Sequence, residues 1–130
     1  MGLQEFIAAY VECALWASND ESNDNGGEPM DKNYSADDIA PEALATITAE
    51  CAAFYNANVQ TWSEWWTDER AGHDFWLTRN GHGAGFWDRF SPHSNEEAAE
   101  AGDKLSEAAR AARERNLYVG DDGLIYIMHG

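Results

Sequence analysis

Basic residues are scarce in this chain. Eight Lys and Arg residues stand against 24 Asp and Glu residues, which gives a formal net charge of −16 at pH 7. Proteins that bind DNA, RNA or an anionic membrane surface need clustered Lys and Arg to neutralise phosphates. The composition therefore argues against direct nucleic-acid binding and against a membrane partner. It favours a partner protein with a basic surface, a cation, or no electrostatic partner, in which case the acidity serves only solubility.

Cysteine and long apolar runs are scarce as well. Cys13 and Cys51 lie among apolar neighbours in segments with helical spacing, where a free thiol behaves as a small buried hydrophobe. No apolar run approaches the roughly 20 residues that span a bilayer. The stretch after Met1 also lacks the basic region typical of a signal peptide. We therefore expect a protein of the cytoplasm without a disulfide.

Residues that build a core are plentiful. Hydrophobic residues make up 44% of the 130 positions and aromatic residues 12%, which distinguishes the chain from acidic disordered sequences. The length suits one core, and no internal repeat or linker divides it. We predict a single domain over residues 1–130.

Helical spacing of apolar residues marks three segments. The first runs over 3–17 and the second over 41–66, with Pro41 at an early helical position. The third helix follows Ser94, which forms a capping-box pattern with Glu97. A long loop over 18–34, rich in Gly, Asn and Asp, separates the first two helices.

Two hairpins are predicted from alternating apolar residues and turn signals. The first joins strands at 73–79 and 86–89 through Asn80-Gly81, and the second joins 117–119 to 124–127. The order α-α-β-β-α-β-β predicts an α+β fold. Its simplest form is an antiparallel sheet of about four strands with three helices packed on it.

The first predicted hairpin, HDFWLTRNGHGAGFWDR, concentrates chemically versatile residues. Glycines allow a ligand to approach the backbone closely, and arginine binds carboxylate or phosphate with two parallel hydrogen bonds. The candidate binding residues are those expected to converge near its tip: His73, Arg79, Asn80, His82, Trp87, Asp88 and Arg89. The alternative is a structural hairpin whose arginines pair with the many acidic residues.

Several segments resemble a family of small acidic proteins encoded by tailed bacteriophages. They are ALWAS, GGEPMDKNYSADDI, LTRNGHGAGFWDR and LYVGDDGLIYI, so the resemblance covers most of the chain. It implies an accessory, non-structural protein that acts on host or phage machinery inside an infected bacterium. It assigns no catalytic residue and no fold.

Patterns that indicate metal, cofactor or catalytic sites are missing. With Asp20 as the first ligand of a calcium loop, Asn25 stands where glycine belongs. No cysteine or histidine pair has zinc-finger spacing, and neither a phosphate-binding loop nor a Gly-x-Ser-x-Gly motif is present. We expect no metal, no cofactor and no catalytic residue. A hydrolase that uses His82 with Asp74 or Asp88 is the least favoured of the functional hypotheses.

Three tryptophans end the second predicted helix on more than one of its faces. Trp62, Trp65 and Trp66 cannot all point into one core, and tryptophan is enriched in protein interfaces. We expect Trp62 and one member of the adjacent pair to pack internally, and the other member to lie at an interface.

The acidic residues are concentrated in the first half. Residues 1–69 contain fourteen acidic residues and one basic residue, Lys32, whereas 70–130 contain ten and seven. The predicted partner-binding face consists of Asp20, Asp24, Glu28, Asp31, Asp37 and Asp38.

Two hypotheses follow. The leading one is a non-catalytic protein that binds and inhibits a host protein by imitating nucleic-acid phosphates, partly through carboxylates along the second helix. The alternative is a protein that binds or sequesters a small nucleotide-like ligand at the 73–89 hairpin.

Overall fold

The described part of the chain folds into four α-helices and two separate two-stranded antiparallel sheets. A computed structural model describes residues 2–20, 27–81 and 84–128. The described elements, in chain order, are α1 Gly2–Ala17, β1 Asn19–Asp20, β2 Glu28–Pro29, α2 Pro41–Trp62, α3 Asp68–Arg79, α4 Glu96–Ala111, β3 Asn116–Val119 and β4 Ile125–Met128. Short 3-10 turns occupy Met30–Lys32, Ala36–Asp38 and Phe86–Asp88.

The strands form two separate antiparallel pairs. β1 pairs with β2, and β3 pairs with β4 with Leu117 opposite Ile127. The C-terminal hairpin is tied to the start of α2, because the Ala40 amide donates to the Ile125 carbonyl over 2.9 Å. The mixed α+β class and the second predicted hairpin are confirmed. The prediction of one four-stranded sheet is wrong, since the first predicted hairpin does not form.

The segment predicted as the first strand of that hairpin is the helix α3. Its side chains from Asp74 to Arg79 are all buried, because α3 packs against α1 and α4 and contacts the Phe86–Asp88 turn. A helical segment that is buried on every side, as Asp74 to Arg79 are, loses the polar stripe that marks helical periodicity in a sequence. The run of aromatic and apolar residues in the buried half of α3 cannot then be distinguished from the pattern of a buried strand.

Local signals at both ends of α3 explain where it begins and ends. The Thr67 hydroxyl accepts a hydrogen bond from the Arg70 amide over 3.1 Å, and Asp68 and Glu69 occupy the first turn, where the helix dipole favours acids. Gly81 has φ +69°, the left-handed conformation that commonly terminates helices. Asn80-Gly81 therefore ends a helix instead of turning a hairpin.

α1 and α3 approach each other closely. A Cβ at Gly72 would collide with the carbonyl oxygen of Phe6, so only glycine permits this helix spacing. Beside the contact lies an aromatic cluster in which the Phe54 and Phe75 rings stack with centroids 4.0 Å apart. Phe6 and Trp62 stack nearly parallel at 5.4 Å. These contacts fix α3 in the interior of the fold.

The other predicted helices are largely confirmed. α1 ends at Ala17 as expected, and α2 begins at Pro41 but ends at Trp62, four residues earlier than predicted. The predicted cap of the last helix is wrong: the Asn95 side chain, not Ser94, accepts from the Ala98 amide over 3.0 Å. Ser94 instead closes a turn with Ser91. No helix among the described residues is long and apolar enough to cross a membrane.

Candidate functional site

The seven residues predicted to converge on a hairpin tip are divided between different parts of the fold. His73, Arg79 and Asn80 belong to α3 or its end, whereas Trp87, Asp88 and Arg89 lie in or after the 3-10 turn. His82 lies outside the described residues. Of the two arginines expected to share a pocket, each is engaged by a different carboxylate.

Arg89 pairs with the buried side chain of Asp74. Its Nε lies 2.9 Å from Asp74 Oδ2 and its Nη2 lies 2.5 Å from Oδ1, a two-point contact with a carboxylate that is 0% exposed. The Trp66 indole donates a further hydrogen bond to Oδ2 over 2.9 Å. The hydrogen bond to Asp74 raises the pKa of Arg89. This charged pair is satisfied within the protein.

Arg79 is the centre of a second, buried network. Its guanidinium donates to Glu50 (2.9 Å), to the Tyr10 hydroxyl (3.1 Å) and to two backbone carbonyls that follow α4. Glu50 also accepts from Arg115 over 2.9 Å. A single Arg side chain thus joins α1, α2, α3 and the end of α4, and none of its nitrogens remains directed to a ligand.

Three other predicted site residues have local structural partners or face solvent. The Asn80 amide nitrogen donates to the Trp76 carbonyl, and its oxygen accepts from the Arg115 amide over 2.8 Å. Asp88 accepts from the Gly85 amide over 3.0 Å and so holds the 3-10 turn. Trp87 is exposed. Among the residues that the structure describes, none of the three lines the clefts that contain His73 or Arg89 and are described below.

The predicted acidic face is only partly formed by the residues named for it. Asp20 is buried, and Glu28 pairs with Lys32 over 3.0 Å. Asp38 accepts from the Ser35 amide in a capping box, while Asp31 and Asp37 are exposed. Asp24 lies outside the described residues. The predicted row of carboxylates along α2 is also wrong, because that helix carries only Glu42 and Glu50.

A cleft with both charge signs lies on one side of α1. We call it the mixed-charge cleft; its volume is about 640 Å³ and its walls are formed by Glu5, Ala8, Ala9, Glu12, Thr67, Glu69, Arg70, His73 and Arg89. It brings together His73 and Arg89, two of the residues predicted from the sequence. Three carboxylates face the same space, so a phosphate or carboxylate ligand would meet repulsion there.

On the other side of α1 runs a second concavity, the apolar groove. Its volume is about 500 Å³. α1 supplies one wall, with Gln4, Ile7, Ala8, Val11, Glu12 and Leu15, and the opposite wall is formed by Asp31, Tyr34, Ser35, Ala36 and Leu44. In the described part of the chain, no basic side chain lines this groove. Glu12 and Asp31 form no ion pair within the described ranges.

A smaller hollow, the Trp16 pocket, adjoins the groove at the end of α1. It measures about 230 Å³ and is lined by Glu12, Cys13, Trp16, Asp31 and His73. Trp16 is 59% exposed, whereas Trp62 and Trp66 are buried and Trp65 is half-buried against the core. The most exposed tryptophan is therefore in α1 and not at the end of α2, where the sequence predicts it.

Sequence reasoning missed the exposed side of α1. Gln4, Ala8, Glu12 and Trp16 recur every four residues and are all exposed, so they form one outward stripe between the two concavities. The stripe was readable as the polar side of a strongly periodic helix. It attracted no prediction because neither its alanine nor its isolated glutamate belongs to a known motif.

Neither metal geometry nor likeness to known proteins assigns a function. Within the described ranges, no group of three or more His, Cys, Asp or Glu side chains is arranged to hold a metal ion. The chain matches no family model, no curated protein and no solved structure. The geometry around α1 therefore carries the functional argument.

Proposed function

We propose that this is a non-catalytic binding protein that captures a basic amphipathic segment of a host protein in the apolar groove. The observation that carries the proposal is an apolar concavity whose charged lining residues, among those that the structure describes, are Glu12 and Asp31, neither of which forms an ion pair there. Apolar walls bury the hydrophobic side of an incoming segment, as in other helix-in-groove complexes. The rim carboxylates then attract its Lys and Arg residues.

The distribution of cations supports this assignment. Within the described residues, the only basic residue of the first half, Lys32, pairs with Glu28 and leaves Glu12 and Asp31 without a cation. Unneutralised charge at the edge of an apolar surface accelerates association with an oppositely charged partner and selects against acidic ones. Leu44, 38% exposed on the opposite wall, and Ala8 on α1 leave apolar surface ready to be covered.

Capture of a basic segment in the groove explains how binding would inhibit the host protein. In nucleic-acid-binding proteins, basic segments make the phosphate contacts that dominate affinity. A carboxylate-rimmed groove that covers one of them competes with phosphate for the same cations. The proposed mode of action is still imitation of nucleic-acid phosphates by carboxylates. The carboxylates that take part lie around the groove and not in a row along α2.

The alternative, binding of a nucleotide-like ligand, loses the arrangement on which it depended. Arg79 is held by Glu50 and Tyr10, and Arg89 by Asp74. The mixed-charge cleft retains Arg70 as a cation without an ion pair in the described part of the chain, but Glu5, Glu12 and Glu69 share its walls. Groove binding is the better supported function.

A labelled model peptide tests the proposal. The peptide carries leucines on one helical face and lysines on the other, and its matched control carries glutamates in place of the lysines. Fluorescence anisotropy should show binding of the lysine peptide only, weakening as salt rises because the rim pairs are screened. Equal binding of both peptides, or affinity indifferent to salt, would contradict the proposal.

Paired variants locate the binding surface. Ala8→Arg places a long cation in the groove and should weaken the lysine peptide by about tenfold or more. Ala57→Arg makes the same change at an exposed position of α2 that lines neither concavity, and should bind as the unmodified protein does. If the two variants bind the peptide equally, the groove is not the site.

A further inference from the structure

The Trp16 pocket combines an exposed aromatic face with unpaired carboxylates. The indole of Trp16 is held from one side by His73, whose ring lies 6.3 Å away at an interplanar angle of 31°. The side chain is nevertheless 59% exposed, the largest exposed fraction among the large hydrophobic residues of the described chain. An indole left this open is typical of a contact residue that awaits a partner.

Two carboxylates of the pocket, those of Glu12 and Asp31, are suited to a cation, and the other polar side chains of its lining are Cys13 and His73. Glu12 comes from α1 and Asp31 from the 3-10 turn after β2, so the two carboxylates approach the hollow from different elements. Burial raises the pKa of the Cys13 thiol to about 12, and the nearby Asp74 carboxylate is the second cause. The thiol therefore adds no charge at neutral pH. The guanidinium of Arg89 does not line the pocket and is directed to Asp74.

The pocket and the apolar groove are neighbours that share two residues. Glu12 and Asp31 line both of them. A segment lying in the groove therefore passes directly beside the hollow, whose volume of about 230 Å³ has room for one extended side chain.

We propose that the Trp16 pocket binds an arginine side chain of the segment held in the groove. The guanidinium stacks on the indole of Trp16 and donates hydrogen bonds to Glu12 and Asp31. The inference rests on the proposed function for the identity of the segment, but the pocket can be tested without it. Arginine fits better than lysine because its planar fork stacks on aromatic faces and directs donors to two separate acceptors, whereas an ammonium is compact and strongly hydrated.

The test uses single amino-acid probes and the indole N–H signal of Trp16. N-acetyl-arginine methylamide is titrated into ¹⁵N-labelled protein, and the Trp16→Phe variant identifies the signal among those of the six tryptophans. The proposal predicts a saturable shift of this signal. The citrulline analogue, a neutral isostere of arginine, should produce none, and the lysine analogue should bind roughly three- to tenfold more weakly. Equal shifts from arginine and citrulline, or no saturable shift from arginine, would overturn it.

Charge-neutralising variants identify the acceptors. Glu12→Gln combined with Asp31→Asn should lower affinity for the arginine probe on the order of tenfold. Glu64→Gln combined with Glu100→Gln changes the net charge by the same amount at exposed positions outside the pocket and should leave affinity unchanged. Equal losses in the two double variants would show a general charge effect and would exclude the pocket.

The probe and the peptide of the preceding section separate the two proposals. Binding of the lysine peptide without any response of the Trp16 signal to the arginine probe overturns the pocket and leaves the groove intact. A saturable response to the arginine probe without peptide binding supports the pocket and overturns groove binding. Ala8→Arg, which alters the groove outside the Trp16 pocket, should reduce only peptide binding.

Discussion

Two regions of this molecule treat charge in opposite ways. Around α3, Asp74 faces Arg89 and Glu50 faces both Arg79 and Arg115, so buried or half-buried carboxylates are matched to cations. Along the outer side of α1, Glu12 and Asp31 flank apolar surface and are matched to no cation among the described residues. The first region holds helices together, and the second is available to a partner.

In this protein, the rarity of a residue type does not indicate its role. Arginines stood out in an acidic sequence and were predicted to bind a ligand, yet Arg79 and Arg89 are both engaged inside the fold. A buried charge must be paired because the loss of hydration is costly, and this requirement is met first wherever cations are few. The charges left unpaired on the surface are the ones that remain for recognition.

The largest expected effect comes from removing the buried carboxylate. Asp74→Asn keeps the shape of the side chain but leaves the charge of Arg89 without its counterion, and should lower the free energy of unfolding by about 3–4 kcal/mol. Urea denaturation measures the loss. Asp103→Asn, the same change at an exposed position of α4, should be nearly silent. Similar midpoints for the two variants would contradict a structural role for Asp74.

The second effect concerns the geometry of Arg79 more than its charge. Arg79→Lys retains the cation but cannot serve Glu50, Tyr10 and two carbonyls together, so we expect a loss of about 2–3 kcal/mol. Thermal and urea unfolding measure it. The matched control is Arg110→Lys, an exposed position on α4. Should lysine prove as stabilising as arginine at position 79, the network would contribute charge alone.

The third effect concerns the buried thiols of Cys13 and Cys51, which form no ion pair with a cation in the described part of the chain. Burial raises the pKa of Cys13 and of Cys51 from 9.0 to about 12, so the folded protein retains these protons at pH values where the unfolded chain releases them. Their contribution is complete below pH 9 and is lost between pH 9 and 12. Stability should fall by on the order of 1 kcal/mol for each thiol by about pH 10.

Urea midpoints at neutral pH and near that alkaline value check the thiol effect. The control is Cys13→Ala combined with Cys51→Ala, which should lose less stability over the same interval. Some loss should remain in that variant, because the hydrogen bond to Asp122 raises the pKa of Tyr126 to about 12 as well. An identical alkaline decline with and without the thiols would refute their part in it.

The smallest effect is expected on the partner-binding side. Glu12→Gln and Asp31→Asn should each change the free energy of unfolding by no more than about 0.5 kcal/mol, since neither carboxylate has an internal cation to lose. The same variants should impair binding of the arginine probe. A large loss of stability at either position would remove the contrast between the two regions.

The parts of the fold that the sequence predicted were those with one exposed face. α1 and the start of α2 show apolar residues at helical spacing, and the β3–β4 hairpin has strong turn residues between alternating strands. In each case solvent on one side imposed a periodic polar pattern. The second half of α3, from Asp74 to Arg79, has no such side, and its run of buried residues predicts a strand instead of a helix.

The candidate site was predictable only in its chemistry. The sequence predicts a partner protein with a basic surface and one tryptophan at an interface. It does not indicate Trp16, and it places the acidic face mainly on other residues. Glu12 and Asp31 are far apart in sequence and share the Trp16 pocket only because the 3-10 turn after β2 packs against α1. No local pattern can report such a juxtaposition.

The acidic character, the α+β class and the periodic helices follow from composition and local spacing, and so they can be predicted without the structure. Tertiary structure alone decided which charges are neutralised. Pairing of Arg89 with Asp74 and of Arg79 with Glu50 depends on distances between separate helices. Desolvation makes those pairs obligatory in the interior, and what it leaves unpaired around α1 defines the surface open to a partner.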